Sequence, residues 1–270
     1  MTNDVGEIAT IIKNFITAYL TNSRCKGIVI GLSGGVDSAV TTVLCQQAVG
    51  KSNTYCLFLP DEATPESDRQ HERLLVDTFD LTCDTRDIGP LVTAMTDYYR
   101  QPLSPLSLAN VKARIRMTLL FTQANMTNSL VCGTSNKSEL LVGYFTKYGD
   151  GGVDIMPIGD IYKTQVFHLA RYLNIPEEII TKPPTAGLLN GQTDEQDLQV
   201  TYTVLDGILK GLEQKLDAQD ILLQTGATIQ QIERIKRMRI NSQHKRRSPL
   251  IPKIGLRTPG LDWRSPILLG

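Results

Sequence analysis

The chain of 270 residues carries 28 Lys and Arg against 28 Asp and Glu, so its formal net charge is zero. That balance supplies no global attraction to nucleic acid or to an anionic membrane surface. With 41% hydrophobic and 21% charged residues, it has the composition of a globular protein with a full core, and no apolar run approaches the ~20 residues that span a bilayer.

The start Met1–Gly6 is polar and leads into an amphipathic stretch, unlike a signal segment. The five cysteines, Cys25, Cys45, Cys56, Cys83 and Cys132, match no zinc or redox spacing, and most lie in apolar runs where a buried thiol is the ordinary reading. These features lead us to expect a cytoplasmic protein with no nucleic-acid or membrane partner.

In chain order, Ile8, Ile11, Ile12, Phe15, Ile16 and Tyr19 form one helical stripe. Gly27–Leu32 is short, β-branched and apolar, as a buried parallel strand is. A turn over Ser33–Asp37 leads to a helix from about Ser38 to Val49. Thr54–Pro60 reads as a second strand, Glu66–Phe79 as helical, and Leu81–Ile88 as a weaker strand. A long helix is expected over Ser107–Asn125, a strand over Ser129–Thr134, and a helix from Asn136 towards Tyr144. After the glycine loop Tyr148–Val153, Asp154–Ile158 is expected to be the last strand. Lys163–Leu173 and Ile175–Ile180 read as helices, and Lys182–Asp197, rich in Pro, Gly and polar residues, as a mobile lid.

Strands alternating with helices imply an α/β fold, a doubly wound parallel sheet in a single domain with N- and C-terminal helical additions. Ligands of such sheets lie at the carboxyl ends of the strands, where both Ser33–Ser38 and Thr134–Glu139 fall.

A strand, a Gly-Gly turn and a helix make an anion site. Gly34 and Gly35 admit close approach of the backbone, the first helical amides point at the anion, and Ser33 and Ser38 add hydroxyls. Asp37 would be repelled by phosphate unless a cation lies between, which favours Mg²⁺. No Lys follows the turn, so it is not a P-loop; nor does it have the glycine spacing of the dinucleotide G-x-G-x-x-G turn. On residue type alone, Glu139 reads as a first-turn acid that complements the helix dipole, and Arg114 as a solvated arginine. Lys163, at the start of a helix, is misplaced against the dipole unless an anion is near.

The run Ser33-Gly34-Gly35-Val36-Asp37-Ser38 resembles the pyrophosphate loop of the ATP-pyrophosphatase superfamily, whose members adenylate a substrate and release pyrophosphate. Asn110–Met117, Gly133–Glu139, Gly143–Asp154 and His244–Arg246 further resemble the NAD synthetase family. That resemblance runs from about Ile8 to Pro252. It implies a Rossmann-like fold and a ligase that amidates deamido-NAD to NAD with ATP and ammonia. ATP contacts would fall on Gly31, Leu32, Ser33, Gly34, Gly35, Val36, Asp37, Ser38, Thr134, Lys163 and Thr185, and Mg²⁺ ligands on Asp37 and Glu139. Deamido-NAD contacts would fall on Arg114, Lys147, Asp154, His244 and Lys245. Asp37, Lys163 and Asp154 are the candidate catalytic groups, the last to orient ammonium. The resemblance also implies a homodimer, with the N-terminal helix and Ser107–Asn125 as interface candidates. Asp37 and Glu139 are expected to face solvent.

Overall fold

The structure is a computed structural model that describes residues 4–185 and 193–259. In chain order the helices and strands are α1 (Val5–Ser23), β1 (Gly27–Leu32), α2 (Val36–Val49), β2 (Thr54–Phe58), α3 (Glu66–Phe79), β3 (Cys83–Thr85), α4 (Gly89–Tyr98), α5 (Pro105–Thr127) and β4 (Ser129–Cys132). Then come α6 (Lys137–Val142), α7 (Lys163–Tyr172), α8 (Glu177–Thr181), α9 (Asp194–Leu198), α10 (Tyr202–Glu213), α11 (Ala218–Thr225) and α12 (Ile229–Asn241).

The four strands form one parallel sheet in the order β3-β2-β1-β4. From β1 the chain winds outward through β2 and β3, then crosses to β4 on the other side of β1. The order therefore reverses between β1 and β4, and the region outside their carboxyl ends is the crevice in which sheets of this kind bind ligands.

Because successive strand residues face opposite sides, each strand feeds two cores. Ile28, Ile30, Cys56 and Cys132 join the layer formed with α1, α2 and α7. Val29, Leu57 and Val131 join the opposite layer, where Ala124, Leu119 and Leu120 of α5 cover the sheet. Burial on both faces explains why these strands read as continuous apolar runs rather than alternating ones. A third apolar cluster, with Leu205, Ile208, Ile232 and Ile235 at its centre, binds α10–α12 to α6. This is the C-terminal helical addition.

The local chemistry sets the boundaries. Asp4 caps α1 through its carboxylate on Gly6 N, and Arg24 ends that helix in the left-handed region at φ 59°. Ser104 caps α5, with Pro105 preset at the first helical position.

Two strand expectations are corrected. Leu81–Ile88 shortens to Cys83–Thr85, since Asp87 turns the chain by accepting from Gly89 N at 2.8 Å at the start of α4. Asp154–Ile158 contributes only an isolated bridge, Cys132 to Ile155. Pro157, with no N–H, cannot extend that ladder, and the chain bends at Met156–Gly159, where Gly159 N donates to Met156 O at 3.0 Å.

Candidate active site

At the end of β1 the turn is built for close approach. Gly34 has φ 78°, and a Cβ there would lie 2.5 Å from the carbonyl oxygen of Asp68 on α3. Ser33 and Ser38 lock the turn: their hydroxyls lie 3.0 Å apart, and Ser38 Oγ donates to Gly35 O at 2.9 Å. The N-cap of α2 is Gly35, and no side chain caps the helix. Amides of its first turn are thus available to an anion. Gly31 and Leu32 lead β1 into this turn. Thr134, half-buried, follows β4 across the crevice.

Asp37 stands in the first turn of α2 and Glu139 in the first turn of α6. A single amide joins them: Asn136 Nδ2 donates to Asp37 Oδ1 at 2.9 Å and to Glu139 Oε1 at 2.8 Å. Asn136 is itself fixed as the N-cap of α6, accepting from Glu139 N at 3.0 Å. Lys163, 1% exposed, extends from the start of α7 and ion-pairs with Asp37 Oδ2. Burial pulls its ammonium down, but Asp37 and Glu139 outweigh that and hold it above the ordinary lysine value. Burial and the neighbouring Asp37 charge push Glu139 well above the usual carboxylate range, against the pull of Lys163. The acids therefore do not face open solvent as expected: the Asp37 side chain is only 18% exposed.

The donor set fits a hard divalent cation. Two carboxylates converge beside the glycine turn, and Mg²⁺ is characteristically held by one or two carboxylates together with phosphate oxygens and water. Among the described residues, no cluster of three or more His, Cys, Asp or Glu could hold a metal by itself.

Residues that the sequence reading did not single out complete this end of the crevice. Asp194, 4% exposed, accepts from Tyr202 OH at 3.0 Å, and Tyr202 lies under the Lys163 ammonium, 5.2 Å from its ring centroid. Lys182 ion-pairs with Asp68, the residue against which Gly34 packs. The two ends of the expected lid are joined where Asp194 N donates to Pro184 O at 3.0 Å. Thr185 is half-buried there. Residues 186–192 of that lid lie outside the described residues.

Of the other expected ligand set, the fold links Arg114, Lys147 and the His244-Lys245 pair. Arg114, exposed on α5, donates through Nε and an Nη to Lys147 O at 3.4 Å. Lys147 Nζ donates to His244 O at 2.8 Å. Lys245 Nζ donates to Gly143 O and Phe145 O at 2.8 Å each, so its ammonium fastens the C-terminal segment to the loop after α6. Burial draws Lys245 below the ordinary lysine value, against Asp150. Asp154 is exposed, with one carboxylate oxygen accepting from Val131 N at 2.7 Å. Arg116 is engaged elsewhere, on Leu59 O at 2.9 Å and towards the buried Asp61, which leaves Arg114 as the arginine on the open side.

A parallel sheet with a glycine turn after β1 and an acid–amide–lysine constellation across the switch point defines a Rossmann-like α/β protein of the ATP-pyrophosphatase type. Comparison with known proteins narrows the class. The chain belongs to the NAD synthase family, whose model matches residues 8–249. It is 42% identical to the NH(3)-dependent NAD(+) synthetase of Methanosarcina acetivorans over 249 residues, 90% of this chain and 97% of that protein. It is 39% identical to the corresponding enzyme of Sulfurisphaera tokodaii, covering 98% and 95%. Among solved structures, an NMN synthetase from Francisella tularensis superimposes with a TM-score of 0.85 at 33% identity, over 94% of this chain and all of that one. An NH3-dependent NAD synthetase from Campylobacter jejuni gives 0.80 at 32% identity, over 93% and 100%.

Proposed function

We propose that this protein is a ligase that amidates deamido-NAD to NAD, consuming ATP and ammonia through an adenylated intermediate and releasing AMP and pyrophosphate. The observation that carries the reading is the juxtaposition at one crevice of the phosphate turn and the Asp37–Asn136–Glu139–Lys163 constellation.

The turn, with Gly31–Ser38, Thr134 and Thr185 around it, binds the triphosphate, and the amides of α2 hold its anionic oxygens. A nicotinate carboxylate oxygen attacks the α-phosphorus, and the bond from that phosphorus to the bridging oxygen of pyrophosphate breaks. Charge accumulates on the leaving pyrophosphate. Lys163, kept protonated by its acidic neighbours, is placed to neutralise it, and pre-aimed charge of this kind lowers a barrier without reorganisation. Asp37 and Glu139 would hold Mg²⁺, which when bound supplies further neutralisation of the phosphate oxygens.

In the second step ammonia attacks the acyl carbon, the acyl–oxygen bond breaks, and AMP leaves with its electron pair. Ammonium must first lose a proton. Asp154, exposed and anchored by one oxygen on Val131 N, is our candidate to bind and orient it. Arg114, Lys147, His244 and Lys245 bind the dinucleotide alongside.

We further propose a cytoplasmic homodimer. Ile11 and Phe15 on α1 and Leu106 and Met126 on α5 expose apolar surface, which suits a subunit interface. Among the described residues no helix is long and apolar enough to cross a membrane.

The Francisella likeness favours a second reading, the same amidation on the corresponding mononucleotide. One assay separates the two: ATP, Mg²⁺ and ammonium with either deamido-NAD or nicotinic acid mononucleotide, following AMP and the amidated product. Turnover of the dinucleotide is the expected result; turnover of the mononucleotide alone would replace the first reading with the second.

A further inference from the structure

Lys163 opens α7, where the helix dipole disfavours a cation and where the first amides need acceptors. The N-cap residue meets only part of that need: Tyr162 O accepts from Gln165 N at 2.8 Å, but its hydroxyl turns away to Glu213 at 2.8 Å, which leaves the amides of Lys163 and Thr164. The acceptors come from two other helices. Lys163 N donates to Ser138 Oγ of α6 at 2.9 Å, and Thr164 N donates to Asp206 Oδ2 of α10 at 2.8 Å. Ser138 Oγ in turn donates to Asp206 Oδ1 at 2.5 Å. Asp206 is 1% exposed, and Ser138 is fully buried. Burial raises Asp206 above the usual carboxylate range, opposed by its bonds to Ser138 and Thr164.

Resting on the proposed function, we propose that Asp206 is the positioning residue of the adenylation site. It caps α7 from outside the helix and, through Ser138, ties the start of α7 to α6. Lys163 begins α7, and Glu139 follows Ser138 directly on α6. One buried carboxylate thus sets the register between the lysine and the acid that meet at Asp37. Asp206 touches no reacting atom. It shares one stripe of α10 with Tyr202, which lies beneath the Lys163 ammonium, and with Glu213, which accepts from Lys137 Nζ at 3.0 Å. Spacings of four and seven residues place all three within about 40° of one another on a helix. The C-terminal helical addition is therefore the scaffold that aims Lys163.

The test is a double-mutant cycle of Asp206→Ala with Lys163→Met, measuring turnover with deamido-NAD and, without the second substrate, ATP affinity by calorimetry. If Asp206 acts through Lys163, the two effects are strongly non-additive. In the native background Asp206→Ala should lower kcat by about 30-fold and weaken ATP about tenfold; in the Lys163→Met background each should change less than about twofold. Asp206→Asn should recover kcat to within about fivefold of the native protein, because the amide oxygen still accepts from Thr164 N. Equal losses in both backgrounds, or no loss from Asp206→Ala, would overturn the proposal. Should Asp206→Ala not fold, Ser138→Ala enters the same cycle, with the same non-additivity expected and full additivity overturning it. A native protein that ignores deamido-NAD refutes the functional reading instead, and the ATP cycle still decides the role of Asp206.

Discussion

Asp37 and Glu139 stand on different helices yet accept hydrogen bonds from the same nitrogen, Asn136 Nδ2, at 2.9 and 2.8 Å. That shared donor, together with the Lys163 ammonium paired to Asp37, holds the two carboxylates side by side. Asn136 is fully buried, so its replacement exposes the cost directly. Asn136→Asp adds a third carboxylate where a donor is required and should lower turnover by at least about 10²-fold, with Asn136→Ala losing about tenfold or more, the cost of a lost hydrogen bond to a charged group. The measurement is kcat against Mg²⁺ concentration. Native turnover in Asn136→Asp would show that the bridge is incidental.

Asp37→Ala and Glu139→Ala each remove charge from the phosphate side of the crevice. A loss of ~3–4 kcal/mol of transition-state stabilisation, about 10²–10³ in kcat, is expected for each. Asp37→Ala also strands the buried Lys163 ammonium, and breaking a buried pair from one side costs about 3–5 kcal/mol of stability. Thermal unfolding should therefore fall for Asp37→Ala and recover in the double variant with Lys163→Met. Near-native kcat in either single variant at saturating Mg²⁺ would sink the metal assignment.

Arg114→Ala and Lys147→Ala should weaken deamido-NAD by about tenfold or more, each removing a charged hydrogen bond of ~1.5–3 kcal/mol, while ATP affinity changes little. Lys245→Ala behaves differently. Its ammonium is committed to Gly143 O and Phe145 O, so it should also lower the unfolding temperature. Titration of each variant with both ligands checks this, and equal weakening of ATP and deamido-NAD would place Arg114 and Lys147 in the wrong subsite.

Much of this was legible in the chain because the signals were local. Gly27–Leu32 announced a strand buried on both faces, and Gly34-Gly35 announced the tight turn that follows it. Lys163 was suspect for its clash with the helix dipole, and the structure gives the reason it is tolerated. What escaped were groups whose meaning is purely tertiary. Asn136 reads as an ordinary helix cap until Asp37 arrives from a different strand end. Asp206 reads as a polar interruption in a helix whose Leu205, Ile208 and Leu209 are buried, and its partners lie on α6 and α7. The expected last strand failed at Pro157, a breaker that was visible in the sequence.

Gly34→Ala tests the turn itself. The residue has φ 78°, and an added Cβ would meet Asp68 O at 2.5 Å and Asp68 Cα at 2.9 Å, backbone that cannot rotate aside. A non-glycine residue in the left-handed region costs about 1–3 kcal/mol, and the displaced turn should lose ATP. Gly50→Ala is the control: it shares a positive φ of 85° but meets nothing within 4 Å. Calorimetric titration with ATP should show loss in Gly34→Ala and native affinity in Gly50→Ala. Equal affinities in the two would mean that the turn does not carry the phosphates.

The nitrogen donor is the last prediction: this chain uses free ammonia rather than glutamine. Amide hydrolysis requires an activated thiol or an equivalent nucleophile, and the cysteines here are placed as packing. Cys45, Cys56 and Cys132 are buried. Burial pushes the Cys56 thiol up to about 12 and raises those of Cys83 and Cys132. At pH 8 a thiol with a pKa of about 12 is roughly one part in 10⁴ thiolate, too little to attack. Cys25 is half-buried beside the start of β1, where its Sγ donates to Ser23 O at 3.9 Å. The measurement compares NAD formation from ammonium chloride with that from ammonia-free glutamine at equal concentration, before and after treatment with iodoacetamide at pH 8. Ammonium should drive synthesis and glutamine should not, with Cys56 and Cys132 left unalkylated in the folded protein. Robust glutamine-driven synthesis abolished by alkylation would force one of these thiols into a catalytic role and overturn the prediction.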